Sequence, residues 1–192
     1  MIRLYFGKCG AGKDTIVKEV LSKNKDILPI VSYTTRPKRP KEVDGVDYNF
    51  VSTGDFLWMI DNNKLTEYRK YHTINNGAPD IWYYGTPILD PMEEYAGVVD
   101  IQGAYSFLEK YDADLIDLIY IKVDDDFVRY RRVVNRGGFD NDEWKRRAKD
   151  DDKVFSDIEL NKLCKVYGRP IACMHNNERL TFDEIEYKED LS

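Results

Sequence analysis

Ile2-Arg3-Leu4-Tyr5-Phe6-Gly7-Lys8-Cys9-Gly10-Ala11-Gly12-Lys13-Asp14-Thr15 decides how the rest of the chain is read. It is a short apolar strand, a glycine-rich turn and the start of a helix. Gly7, Gly10 and Gly12 let the backbone bend tightly and bring its N–H groups close to an anion. The helix beginning near Lys13 directs the positive end of its dipole into the same space. Lys13 adds a mobile point charge suited to a phosphate in transfer. The spacing is the G-x-x-x-x-G-K of a P-loop. Gly7, Gly10, Ala11, Gly12, Lys13, Asp14 and Thr15 are therefore the expected contacts to a nucleotide polyphosphate. Position 14 carries an aspartate where a hydroxyl is usual, and Thr15 follows it.

A chain of 192 residues has room for one sizeable core with subdomains. Its formal net charge of -6 argues against general affinity for nucleic acid or acidic membranes. No apolar stretch approaches the length that spans a bilayer. The opening residues run straight into a strand, without the apolar region and cleavage site of a signal peptide. Cys9, Cys164 and Cys173 form no even disulfide framework and no C-x-x-C pair, which points to a reducing cytoplasm. With His72 and His175 as the only histidines, zinc sites and histidine-based triads are disfavoured. Cys9 is read as a loop spacer rather than a catalytic thiol.

Beyond the loop, Ile16 to Leu21 carries apolar residues at helical spacing, and Asn24-Lys25-Asp26 ends that helix. Leu28 to Ser32 reads as a strand, and Asp55 to Asn62 as a short helix. Leu65 to Tyr71 and Ile81 to Tyr84 read as strands, with His72 to Asp80 a polar loop between them. Ala96 to Ile101 and Leu115 to Val123 are strands flanking a helix from about Gly103 to Tyr111. From Asp124 to about Lys149 the chain is strongly charged, and Arg129 and Arg131 read there as solvated helix faces. A helix continues to about Tyr167, Pro170 to Met174 is a last strand, and Phe182 to Lys188 a last helix. Strands alternating with helices imply a parallel sheet wrapped on both faces.

A second constellation lies between Ser32 and Tyr48. Arg36 and Arg39 sit three residues apart beside a strand end, where two planar guanidinium forks suit a phosphate. Tyr48 adds a hydroxyl. The whole stretch from Val31 to Ser52 resembles the monophosphate-binding signature of guanylate kinases, roughly S-x-T-T-R-x-x-R-x-x-E-x-x-G-x-D-Y-x-F-V-S, without a gap. Glu67, Tyr84-Gly85-Thr86, Asp100-Ile101-Gln102-Gly103 and the arginines of 129–147 extend the resemblance, which weakens after about residue 150.

The resemblance implies an α/β fold: a three-layer P-loop kinase core with a parallel sheet, an inserted monophosphate-binding subdomain and an arginine-bearing lid. The corresponding divisions are a core of 1–33, 88–124 and 148–192, a GMP-binding subdomain of 34–87 and a lid of 125–147. It implies phosphoryl transfer from ATP to GMP, or dGMP, with Mg²⁺. Arg36, Arg39, Tyr48 and Tyr84 take the GMP phosphate; Ser32, Glu67 and Thr86 take the base. Guanine chemistry agrees, because N1–H and N2–H form a donor pair that a carboxylate accepts and adenine lacks. Lys13, Arg36, Asp100 and the lid arginines Arg132, Arg136 and Arg147 take catalytic roles. Asp100 also falls near the acceptor, and Asp14, Thr15 and Asp100 are the implied metal contacts.

The sequence departs from the family pattern at Asp14, at the apparent insertion 72–80, at Val98 and in the short 86–100 segment. A ribose bisphosphate kinase of the same fold is one alternative, sharing the aspartate after the lysine and a T-R-P step. A non-catalytic binding module is another, opposed by the intact Gly12-Lys13 and arginines. The expected partners are small nucleotides, with no nucleic acid and no membrane, and the chain a monomer or homodimer.

Overall fold

Apolar residues on both sides of the first strand require cover on both sides, which a parallel sheet between helices supplies. In the computed structural model, which describes residues 1–75, 78–135 and 141–177, β1 (Ile2–Phe6) buries Ile2, Leu4, Tyr5 and Phe6. There follow α1 (Lys13–Lys23), β2 (Ile27–Pro29), β3 (Tyr33–Thr34), β4 (Asn49–Phe50) and α2 (Thr53–Asp61). Next come β5 (Leu65–Asn75), β6 (Ala78–Pro87), β7 (Glu94–Val98), α3 (Ile101–Lys110) and β8 (Ile116–Lys122). The chain continues through α4 (Asp126–Asn135), α5 (Asn141–Val154), α6 (Asp157–Tyr167) and β9 (Ala172–His175). Among the described residues, no helix is long and apolar enough to cross a membrane.

Two compact units divide the chain: Met1–Leu28 with the described residues from Glu94 on, and Pro29–Glu93. The first holds a five-stranded sheet in the order β2-β7-β1-β8-β9. β1 runs parallel to β7 and β8, and β8 parallel to β9. On one face Ile16, Val17 and Val20 of α1 pack with Tyr5, Ala96, Ile121, Val123 and Val128. On the other, Phe6 and Tyr120 have ring centroids 5.5 Å apart, and Phe155 stacks on Tyr120 at 5.8 Å. Phe107 of α3 and Leu163 of α6 are fully buried, and the two helices pack together.

The second unit is a four-stranded sheet in the order β4-β3-β6-β5. β3 pairs parallel with β4 and antiparallel with β6, and β5 and β6 form an antiparallel hairpin. Ser52 caps α2 by accepting from the Asp55 N–H at 3.1 Å. Phe56 of that helix is fully buried, its ring centroid 5.4 Å from that of Tyr83. Gly85 leaves room for it: a Cβ there would stand 2.9 Å from Phe56 Cζ.

Several expectations are corrected. Residues 72–75 and 78–80 are not a polar loop but continuations of β5 and β6, paired from His72↔Ile81 to Asn75↔Ala78. The signal was present in Asn75-Asn76-Gly77, a hairpin-turn sequence between alternating residues. The strand expected at Leu28–Ser32 is shorter and earlier, ending at Pro29. The expected helix up to Tyr167 is interrupted after Val154, where Ser156 occupies the N-cap position of α6. Arg129 is no solvated face; it is fully buried. The helix expected at 182–188 lies outside the described residues.

Candidate functional site

The first unit builds an anion cradle from β1 and α1. Gly7, Gly10 and Gly12 have φ of +151°, +77° and +90°. A Cβ at Gly10 would stand 2.6 Å from the Arg129 carbonyl oxygen, and one at Gly12 would stand 2.6 Å from Asn176 Nδ2. The Ala11 N–H donates to the Lys8 carbonyl at 3.1 Å, closing the turn. Lys13 folds back over the loop, its Nζ donating to the carbonyls of Gly7 at 2.7 Å and Lys8 at 3.0 Å. Asp14 and Thr15 are exposed on the first turn of α1. The loop is thus preformed, with a cation beside it and a helix dipole behind it.

Residues from later in the chain hold the same loop. Asn176 is buried, and its Nδ2 donates to the Ala11 carbonyl at 2.8 Å. Arg132 Nη2 donates to the Asn176 carbonyl at 2.9 Å, and its Nη1 lies 3.4 Å from the Ala11 oxygen and 3.5 Å from the Gly10 oxygen. Lys8 Nζ meets Asp152 at 2.7 Å, a hydrogen bond that holds the Asp152 carboxyl below its usual range. Asp124 is likewise lowered, first by the Asn177 amide at 2.8 Å and then by His175 at 3.0 Å. Asp100 is the N-cap of α3, its Oδ1 accepting from the Gly103 N–H at 2.7 Å. Arg147 is exposed on α5, and Arg136 lies outside the described residues.

The second unit gathers two further groups. Glu67 and Thr86 are register partners across β5 and β6, and the Thr86 hydroxyl donates to Glu67 Oε1 at 2.8 Å. Ser32 Oγ lies 3.4 Å from the same hydroxyl. Arg69 Nε approaches Glu67 Oε2 at 3.7 Å. Three oxygen-bearing side chains far apart in sequence thus form one cluster of a carboxylate and two hydroxyls.

Arg36, Tyr48 and Tyr84 form the other group. The Arg36 guanidinium is 5% exposed and lies 5.5 Å from the Tyr48 ring centroid, which is itself 6.0 Å from that of Tyr84. Nη1 and Nη2 of Arg36 donate to Glu42 at 3.0 and 2.7 Å, and Nη1 also donates to the Pro37 carbonyl at 2.8 Å. Tyr84 also forms a side-chain hydrogen bond with Arg36, joining the three members of the group. The Glu42 hydrogen bond raises Arg36 further above its ordinary pKa and holds the Glu42 carboxyl below the usual range, where the Arg39 N–H also helps. Arg36 is buried and Arg39 is exposed.

The family model described as guanylate kinase matches residues 4–78, from the first strand to the first residue of β6. A guanylate kinase of Gloeobacter violaceus is 32% identical over 185 residues, 93% of this chain and 85% of that one. A guanylate kinase of Mycoplasmoides gallisepticum is 36% identical over 167 residues, covering 83% of this chain and 80% of that one.

The chain belongs to the guanylate kinase family.

The fold agrees. The crystal structure of guanylate kinase from Anaplasma phagocytophilum superposes with a TM-score of 0.56 at 23% identity, over 99% of this chain and 80% of that one. Within the guanylate kinase fold, sequence reasoning missed Glu42 and Asn176. Glu42 stood in the quoted signature, six residues from Arg36, as a carboxylate within reach of a guanidinium. Asn176 carried no signal, since a single asparagine after a strand is an ordinary turn residue.

Proposed function

We propose that this guanylate kinase transfers the γ-phosphoryl group of ATP to GMP, giving ADP and GDP. The observation that carries the acceptor is the Ser32–Thr86–Glu67 cluster. A carboxylate accepts the N1–H and N2–H of guanine together, and a hydroxyl donates to O6. Adenine and a bare sugar phosphate offer no such donor pair, so the cluster favours GMP over AMP or a ribose bisphosphate. Arg36, Tyr48 and Tyr84 would hold the acceptor phosphate, with Arg39 reaching it from the exposed side of its loop. Because Arg36 is already fixed by Glu42 and by the rings of Tyr48 and Phe50, little side-chain freedom is lost on binding.

On the donor side, the N–H groups from Gly10 to Lys13 would receive the ATP phosphates. The Lys13 ammonium would leave its two carbonyl partners to follow the transferring group. Arg132 and Arg147, with Arg136, would neutralise charge on the equatorial oxygens. The acceptor is an ionised phosphate at neutral pH, so the protein need not supply a strong base. Its work is alignment and electrostatics. Asp14, Thr15 and Asp100 offer hard oxygen donors, and Mg²⁺ is commonly held by one or two carboxylates together with substrate phosphates, so the set fits that ion. When bound, Mg²⁺ supplies charge neutralisation on the phosphate oxygens. Three free cysteines support a reducing, cytoplasmic setting for this reaction.

A coupled assay of ADP formation across GMP, dGMP, AMP, UMP and ribose bisphosphate tests the proposal. GMP or dGMP should be turned over at least two orders of magnitude better than AMP, on the order expected when a site is built around a hydrogen-bonding substrate edge. Equal turnover of AMP would refute the acceptor reading. ATP-independent retention of biological function in Lys13→Ala would support a non-catalytic module.

A further inference from the structure

We infer that Arg129, together with Asp151, is a positioning residue for the phosphate loop, turning the peptide between Cys9 and Gly10 so that the Gly10 N–H faces the bound polyphosphate. The inference rests on the reading of the loop as the donor-nucleotide site.

Both backbone polar groups of Cys9 are held by this pair. Its N–H donates to Asp151 Oδ2 at 2.6 Å, and its carbonyl accepts from Arg129 Nη1 at 3.1 Å. The same Nη1 also donates to the same Oδ2, at 3.3 Å. Three hydrogen bonds therefore close a ring around one loop residue. The other side of the guanidinium is fixed as well: Nε and Nη2 donate to Asp126 Oδ1 at 3.0 and 2.7 Å, and Cζ lies 5.4 Å from the Trp144 ring centroid.

Packing alone does not call for this arrangement. Arg129 is fully buried, and a charge withdrawn from water carries a large desolvation penalty that an aliphatic side chain of similar volume avoids. What the guanidinium adds is two donated bonds from one nitrogen in a fixed plane. That geometry controls the loop through the peptide bond. In a trans peptide the carbonyl of one residue and the N–H of the next point in opposite directions, and the described chain contains no cis peptide. Holding the Cys9 carbonyl toward α4 therefore turns the Gly10 N–H away from it. Asn176 acts alike two residues on, holding the Ala11 carbonyl and so orienting the Gly12 N–H. α5 completes the hold with two adjacent carboxylates, Asp151 on Cys9 and Asp152 on Lys8. Arg147 rides on the same helix about one turn earlier, so its placement is tied to the loop through this contact.

The test uses the full chain with Arg129→Met, Arg129→Lys and Asp151→Asn. The measurements are ADP affinity by calorimetry, steady-state kinetics with ATP and GMP varied separately, and melting temperature. Both Arg129 variants should weaken ADP binding and lower kcat/KM for ATP by about 10- to 100-fold, the scale of losing a partner that orients a binding group. KM for GMP should stay within about twofold, since the donor loop alone is disturbed. Asp151→Asn should lose less, because an amide oxygen still accepts from the Cys9 N–H. Should Arg129→Met fail to fold, Arg129→Lys and Asp151→Asn carry the test. Variants that melt earlier yet bind ADP like the wild type, or that lose ATP and GMP parameters equally, would overturn the positioning role. Wild-type protein that binds no ADP would overturn the donor-site reading and this inference with it.

Discussion

Gly10→Ala is the sharpest probe of how the phosphate loop is seated. At φ +77° a side chain pays the left-handed strain of roughly 1–2 kcal/mol. The new Cβ would also stand 2.6 Å from the Arg129 carbonyl oxygen, with that residue's carbonyl carbon and Cα both at 3.1 Å. These are backbone atoms, so no rotamer change relieves the contact. Reaching an ordinary 3.4 Å requires the loop or α4 to retreat by about 0.8 Å. Overpacking of this kind costs about 1–3 kcal/mol. Gly168→Ala is the matched control: its φ is +78° and a Cβ there meets nothing within 4 Å. At roughly 3 °C per kcal/mol for a chain of this size, Gly168→Ala should melt about 3–6 °C early and Gly10→Ala a further 3–9 °C below it. A shift approaching 1 Å in the loop should also lower kcat/KM for ATP on the order of 100-fold, while Gly168→Ala leaves it unchanged. Thermal unfolding and the coupled ADP assay read both effects. Equal melting temperatures for the two variants, or an unimpaired Gly10→Ala, would show that the loop does not rest on the backbone of α4 as described.

Glu67→Gln removes the carboxylate that accepts two guanine donors; at roughly 1.5–3 kcal/mol per charge-assisted bond, kcat/KM for GMP should fall on the order of 10²- to 10⁴-fold. Intact GMP turnover in that variant would remove Glu67 from base reading. Glu42 is held below its ordinary 4.5 by Arg36, so near and below that value the unfolded chain binds more protons than the folded one. Its stabilising contribution is complete above about pH 4.5 and is lost as pH falls through the lowered folded value. Melting curves between pH 3 and 6, on the order of the carboxylate range, should therefore decline less steeply for Glu42→Gln than for the wild type, and parallel curves would contradict the pairing. Phe107→Ala empties a fully buried site under α3 and should destabilise by about 3–5 kcal/mol in denaturant titration; a loss below about 1 kcal/mol would mean the helix repacks freely.

The phosphate loop and the acceptor block were legible because each is local: strand, glycines, lysine and helix follow one another without interruption, as do Arg36, Arg39 and Tyr48. The parallel sheet was legible from alternation of apolar strands with helices. What could not be read was who holds the loop from outside. Asp151 and Asn176 reach it across 142 and 165 residues of sequence, and neither residue type announces such a contact. Arg129 misled because an arginine among charges is usually solvated, whereas here Asp126, Asp151 and Trp144 enclose it. The hairpin beyond Tyr71 reads as a loop in sequence because its polar residues outweigh the alternation that strand pairing obeys.

That hairpin has a consequence for how the protein tolerates change. Glu67 and Thr86 face each other near its base, and every pair beyond them lies further toward the tip. A ladder of this kind can be shortened or lengthened only by matched rungs. Deleting two residues from each strand past Tyr71 keeps the base-reading pair in step, whereas deleting one residue from a single strand turns one partner to the opposite face. The length of the arm is thus open to variation, and the match between its two strands is not.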